Sequence, residues 1–178
     1  MTLRGRTASS VLTVAIDPGV HLSAFAWGVD VLEGVGTDWP PGYIPHPWAV
    51  ICEKPVFRGK FAGDIADLCV AVGMHKAEAL RRGCQWTEIT PEAWKKQERK
   101  PHQHRRLFQA LSPAERSTVA AFLRRTPENV AAYIEAACKA LALGQTPSYG
   151  RGVPGTGLKM NDALDAVALW AVTTKRLR

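Results

Sequence analysis

The chain has 178 residues, of which 46% are hydrophobic and 22% charged, and its formal net charge is +7. This length suits one well-buried core and is short for two, so we expect a single domain over residues 11–178 after a basic, flexible tail at residues 1–10. The longest uninterrupted apolar run, from Ala166 to Val172, is too short to cross a bilayer, and no signal peptide is visible. We therefore expect a soluble, cytoplasmic protein with no membrane partner.

The basic excess favours a polyanionic partner, and nucleic acid is the leading class. Four cysteines lie far apart and without a CxxC pair, at Cys52, Cys69, Cys84 and Cys138. This spacing indicates mostly buried, reduced thiols and not disulfides or a zinc site, which fits a reducing compartment.

The first predicted element is a strand that ends in a carboxylate. Residues 11–16 form an apolar, β-branched run, typical of a strand buried on both faces, and Asp17 follows immediately before the turn Pro18-Gly19. Asp17 is thus predicted at the carboxyl end of a central strand, where it either serves chemistry or merely begins a turn. Residues 22–29 and 31–35 predict two further strands that complete an antiparallel meander.

A second strand that ends in a carboxylate follows a proline-rich loop at residues 36–47. The apolar run from Trp48 to Cys52 reaches Glu53, and Pro55 ends the strand. Residues 61–82 then predict a helix that ends at Gly83, and residues 84–89 predict a fifth strand. The helix is long enough to cross over the sheet between the fourth and fifth strands.

The second half of the chain predicts helices. Thr90, Ser112 and Thr126 each precede a proline and an acidic residue, which is the pattern of a helix N-cap. The glycine-rich segment from Gly144 to Met160 predicts a mobile loop.

A basic block lies between the first two of these helix starts. It consists of Lys95, Lys96, Arg99, Lys100, Arg105 and Arg106. Such a block is either a solvated helix face or a phosphate-binding surface. Because it is opposed in sequence only by Glu98, we favour contact with phosphates.

The last predicted helix carries two acids on one face. Asn161 is the expected N-cap, and Asp162 in the first turn complements the helix dipole. Asp165, three residues later, is the only polar residue between Ala163 and Val172. A lone buried charge is costly, and no lysine or arginine lies within a turn of it inside the helix, so Asp165 requires a function or a distant partner.

Four carboxylates therefore stand out, namely Asp17, Glu53, Asp162 and Asp165. Brought together they repel one another in the absence of cations, whereas an all-oxygen cluster is what hard cations such as Mg²⁺ or Mn²⁺ require. Two such ions activate water and stabilise the leaving oxygen at a scissile phosphate.

An Ile-Asp-Pro-Gly strand end, an Ile-x-Glu strand followed by an aromatic residue, and a C-terminal Asp-x-x-Asp helix together resemble the RuvC-type Holliday-junction resolvases of the RNase H-like nuclease superfamily. The resemblance covers residues 11 to about 172 and suits a divergent, phage-type member. It implies an α/β, RNase H-like single domain with a five-stranded mixed sheet flanked by helices. It further implies a homodimer that makes paired nicks across a four-way DNA junction.

The resemblance also implies roles for individual residues. Two ions of Mg²⁺ or Mn²⁺ per active site are bound by the four acids at positions 17, 53, 162 and 165. Lys95 or Lys96 resembles a family lysine near the scissile phosphate, and Lys96 is taken as the catalytic one. Phe57 resembles an aromatic that stacks on junction bases, with Arg58 and Lys60 beside it. The basic block supplies the remaining DNA contacts.

Two alternatives stay open. Another RNase H-like nuclease, acting on other branched DNA or on RNA–DNA hybrids, would share the acids without the junction preference. A non-catalytic nucleic-acid-binding relative would have no need of all four acids.

Overall fold

A computed structural model describes residues 11–41, 48–56, 62–95, 98–147 and 152–175. Within these ranges five strands form, β1 (Thr13–Asp17), β2 (Ala24–Gly28), β3 (Gly34–Gly36), β4 (Ala49–Glu53) and β5 (Gln85–Ile89). The same ranges contain six helices, α1 (Ala62–Arg81), α2 (Pro91–Lys95), α3 (Lys100–Ala110), α4 (Pro113–Phe122), α5 (Pro127–Ala142) and α6 (Met160–Thr173). The predicted basic tail, residues 1–10, lies outside the described residues.

The strands form one mixed sheet in the order β3-β2-β1-β4-β5. The pairs β1–β2 and β2–β3 are antiparallel, whereas β1–β4 and β4–β5 are parallel. The predicted α/β class, with a five-stranded mixed sheet flanked by helices in a single domain, is therefore confirmed. The third strand is shorter than predicted, because residues 31–33 form the turn before it and Glu33 N–H donates to the Trp27 carbonyl at 2.9 Å.

The sheet separates two apolar cores. One face carries the small side chains Ala15, Ala24 and Ala26, which pack in a single buried cluster with α6 and the other C-terminal helices. Their size allows α6 to lie close to the centre of the sheet, directly over β1 and β2. The opposite face contributes larger side chains, among them Phe25, to a second cluster that includes Val72 of α1.

The predicted helix caps are largely confirmed. Ser112 and Glu115 form a capping box at the start of α4, and the Thr126 hydroxyl accepts from Asn129 N–H at the start of α5. The buried Glu115 carboxylate also accepts from Leu32 N–H at 2.8 Å, which fixes α4 against the β2–β3 turn. Asn161 was the wrong N-cap, because Lys159 has the extended backbone of that position and α6 begins at Met160.

The predicted loop before α6 is more structured than its glycine content suggests. Gly152 and Lys159 form an isolated antiparallel bridge, and Val153 and Leu158 are buried in the core. Gly155, at φ 77°, permits the tight turn between them. Residues 148–151 of the predicted loop lie outside the described residues.

All four cysteines are free, and only Cys69 among them is exposed, so the expectation of mostly buried thiols is confirmed. Among the described helices, none is both long and apolar enough to span a membrane.

Candidate active site

Asp17 and Glu53 lie at the same edge of the sheet. Ile16 of β1 pairs with Cys52 of β4 in the parallel register, so the two following residues both sit at the carboxyl ends of neighbouring strands. Both acids are half-buried. The two acids therefore lie at the ends of neighbouring strands, as the two apolar runs predict.

The short helix α2 holds the Glu53 carboxylate from the side. Because α2 follows β5, which is parallel to β4, its last residues return to the edge where Glu53 lies. Trp94 Nε1–H donates to Glu53 Oε2 at 2.8 Å, and Lys95 Nζ lies 2.8 Å from the same oxygen. Lys95 Nζ is also 3.6 Å from Asp165 Oδ2, so one ammonium group bridges the two carboxylates.

Asp165 is buried, with 1% of its surface exposed, and its two nearest partners come from α3. His104 Nε2 lies 2.7 Å from Asp165 Oδ1, and Lys100 Nζ donates to Asp165 Oδ2. Burial raises the pKa of Asp165, but the hydrogen bond and electrostatic attraction of His104 and the charges of Lys100 and Lys95 outweigh it and hold that pKa below the usual range. Since an ionised carboxylate only accepts hydrogen bonds, His104 Nε2 carries the proton.

Asp17 has the opposite electrostatic situation. Among the described residues nothing donates a hydrogen bond to its carboxylate, and its pKa lies well above the ordinary aspartate value. The main cause is burial, followed by the negative charges of Asp165 and Glu53, which Lys95 and Lys100 only partly offset. Of the four acids, Asp17 is thus the one whose ionised form its buried surroundings disfavour most.

Asp162 lies towards the rim of this group. It is half-buried, and Asn161 Nδ2 donates to its Oδ1 at 3.0 Å. Burial raises the pKa of Asp162, the positive charge of Lys100 lowers it, and the negative charge of Asp165 raises it again. The structure therefore brings Asp17, Glu53 and Asp165 together, whereas Asp162 interacts with this group only through the charges of Lys100 and Asp165.

The chemistry of this cluster suits a hard divalent cation. Its donors are all carboxylate oxygens, and four acids face two lysine ammonium groups, so the acids are incompletely neutralised. Among the described residues, however, no three His, Cys, Asp or Glu side chains are grouped closely enough to hold a metal ion in this arrangement. Lys95 and Lys100 contact the Glu53 and Asp165 oxygens that such an ion would use.

A cavity of about 510 Å³ opens beside the cluster. Glu53, Lys95 and Lys100 line it, together with Pro18 and Pro91 from the strand ends. Of the four acids, Glu53 alone is among the described residues that line this cavity, and Glu92 and Glu98 line it as well.

The basic block is divided between the site and the surface. Lys95 and Lys100 contact the carboxylates, whereas Arg106 pairs with Glu98 at 2.8 Å and Arg105 lies 3.7 Å from Glu135. The block is therefore opposed by an acid of α5 as well as by Glu98, because α3 packs against α5. Arg99 is exposed. The predicted residues Phe57, Arg58, Lys60 and Lys96 lie outside the described residues.

Two residues of the site were not predicted as functional, His104 and Trp94. A signal for His104 was present, because Pro101, His104 and Phe108 recur at helical spacing and are all buried on one face of α3. Trp94 carries no comparable signal, since its contact with Glu53 depends on how α2 returns to the sheet.

Comparison with known proteins gives matches in structure alone. No protein-family model matches the chain, and no curated protein matches its sequence. Thermus thermophilus RuvC in complex with a Holliday junction substrate superposes with a TM-score of 0.42 at 14% identity, over 89% of this chain and 90% of that chain. A second Thermus thermophilus RuvC structure gives a TM-score of 0.37 at 17% identity, over 93% and 96% of the two chains. Values at this level concern the course of the backbone and assign no activity.

Proposed function

We propose that the protein is a metal-dependent endonuclease that resolves four-way DNA junctions by paired, symmetric nicks as a homodimer. The observation that carries the proposal is the convergence of Asp17, Glu53 and Asp165 from two parallel strands and a helix. A cluster maintained only for stability has no reason to keep Asp17 in surroundings that disfavour its charge.

In this proposal Asp17, Glu53 and Asp165 hold Mg²⁺ or Mn²⁺, with Asp162 as a further ligand at the rim. The ions supply charge stabilisation at the scissile phosphate and a more acidic water. Lys95 and Lys100 line the adjacent cavity, and each is placed to attract a phosphate once the carboxylates are neutralised. His104 and Trp94 keep Asp165 and Glu53 in fixed orientations.

The homodimer is supported by one face of α1. The residues of this face recur at alternating spacings of four and three, and each of them is exposed and either apolar or small. They are Ala66, Val70, Gly73, Ala77 and Leu80, and the exposed Met74 lies beside them. Val70, Met74 and Leu80 are 62%, 69% and 57% exposed, which is costly for a continuous apolar stripe in water. A Cβ at Gly73 would meet nothing within 4 Å, so a second helix has room to approach there. We propose that a second copy of the chain covers this face through a two-fold axis.

The test is a nicking assay with Mg²⁺ or Mn²⁺. Three substrates of related sequence are compared: a synthetic four-way junction, a linear DNA duplex and an RNA–DNA hybrid. The proposal expects nicks at symmetric positions in two opposed strands of the junction and little cleavage of the other substrates. Equal cleavage of the linear duplex or the hybrid would contradict junction specificity and indicate a different nuclease activity. Binding without any cleavage would contradict the nuclease proposal and indicate a non-catalytic role.

A further inference from the structure

A second groove lies next to the acid cluster, on the side of the C-terminal helices. It has a volume of about 540 Å³, and its walls come from the start of α3, the end of α5 and the start of α6. Its lining consists of Arg99, Lys100, Pro101, Leu141, Pro147, Lys159 and Asn161. We infer that this groove binds a DNA backbone phosphate next to the scissile one, an inference that rests on the proposed function.

The charge of the groove points to an anion. Three of its lining residues are cations and none is an acid. Lys100 is held by Asp165, but among the described residues neither Arg99 nor Lys159 has an acidic oxygen within 4 Å. The Asp162 carboxylate has a backbone hydrogen bond with Lys159, but it acts on the Lys159 ammonium group only at longer range. Exposed cations that share a groove repel one another unless a negative group lies between them.

The remaining lining suits a sugar–phosphate chain. Pro101, Leu141 and Pro147 give the groove apolar surface beside its cations. A DNA strand offers the matching surfaces, because its phosphates carry the charge and its deoxyribose rings are largely apolar. Asn161 adds a side chain that can donate to a phosphate oxygen or a sugar oxygen.

Lys100 connects this groove to the acid cluster, since it lines both the groove and the cavity beside Glu53. A strand that lies in the groove therefore leads directly to the carboxylates. Phosphate contacts of this kind fix the register of a nucleic acid without reading its sequence. Lys159 and Arg99 accordingly set which phosphate lies over the acids.

Arg105 and Arg106 provide a matched comparison. They belong to the same basic block as Arg99, but each has an acidic partner, Glu135 and Glu98 respectively. The double variants Arg99→Gln/Lys159→Gln and Arg105→Gln/Arg106→Gln each remove two positive charges. Any difference between them therefore reflects position and not net charge.

The experiment measures the affinity of parent and variants for a four-way junction in EDTA, over a range of salt concentrations. We expect the groove variant to reduce the slope of log K against log salt by about one for each groove, because each groove neutralises one phosphate, and the control variant to reduce it much less. Equal slopes for parent and groove variant, or equal losses in both variants, would overturn the inference. Thermal melts of both variants check that the exchanged, exposed side chains leave folding intact.

The same design separates this inference from the proposed function. If the parent binds junctions through the groove but never nicks them with Mg²⁺, the proposed nuclease function is contradicted, whereas phosphate binding in the groove is still supported. If the parent nicks junctions but the groove variant shows the same salt dependence of binding as the parent, only the inference of phosphate binding in the groove is contradicted.

Discussion

His104 and Asp165 form a hydrogen bond of 2.7 Å between two side chains that solvent hardly reaches, with 0% and 1% of their surfaces exposed. The contact joins α3 to α6, and it leaves the other carboxylate oxygen of Asp165 directed at Lys100 and Lys95. Asp165 is therefore held in one orientation from the side opposite the cluster. A carboxylate fixed in this way presents Oδ2 without further ordering when a cation arrives.

The first prediction concerns this contact. His104→Phe keeps an aromatic ring in the core but removes the donor, and we expect Mn²⁺ affinity to fall by about 10- to 100-fold, the usual range for residues that orient a metal ligand. His104→Gln, which keeps a donor at similar reach, is the control and should retain most of the affinity. Isothermal titration calorimetry on the folded variants is the measurement. Parental affinity in His104→Phe would show that the histidine serves packing only.

The sequence predicted the sheet better than the site. The apolar runs before Asp17 and Glu53 are local signals, and they placed β1, β4 and both acids correctly because a strand buried on two faces needs such a run. The partners of Asp165 escaped prediction because Lys100 and His104 lie 65 and 61 residues before it in the chain. Only the packing of α3 against α6 brings them together.

The second prediction concerns stability and pH. Since the pKa of Asp17 is raised in the folded protein, the unfolded chain releases this proton at lower pH, and stability falls as pH rises above the ordinary aspartate range. Asp17→Asn removes that penalty, so without divalent cations the variant should melt higher than the parent at neutral pH. Each kcal/mol gained is worth about 2–4 °C for a domain of this size. Calorimetric melts from acid to neutral pH should show the gap close in acid. If the variant is less stable than the parent at neutral pH, the claim that the ionised Asp17 carboxylate destabilises the folded protein is contradicted.

The third prediction concerns the lysine that contacts Asp165. Burial lowers the pKa of Lys100, but its attraction to Asp165 outweighs this and raises it, so the ammonium group contributes to the stability of the cation-free protein. Lys100→Met should lower the melting temperature without divalent cations and tighten Mn²⁺ binding, because the competing ammonium is gone. An ion pair of about 0.5–1 kcal/mol corresponds to roughly a two- to fivefold gain. Weaker Mn²⁺ binding in Lys100→Met would mean that Lys100 supports the ion and does not compete with it.

The fourth prediction concerns the apolar face of α1. Val70→Glu and Met74→Glu place a charge on the proposed dimer surface and should produce monomers in sedimentation experiments. Leu143→Glu makes the same exchange at a residue that is 73% exposed at the end of α5, and it should leave the dimer intact. A parent that is monomeric both with and without junction DNA would contradict the dimer itself.

The most direct test of the central claim is the rate at which Asp17→Asn nicks a four-way junction in Mg²⁺, compared with the parent. The substitution keeps the size of the side chain and removes the charge that the folded protein accommodates least. If the carboxylates exist to hold catalytic cations, the rate should fall by about 100-fold or more, as on removal of other positioned catalytic groups, while the variant stays folded and binds junctions at least as well. A folded Asp17→Asn protein that nicks junctions at the parental rate would contradict the claim that this cluster is the active site.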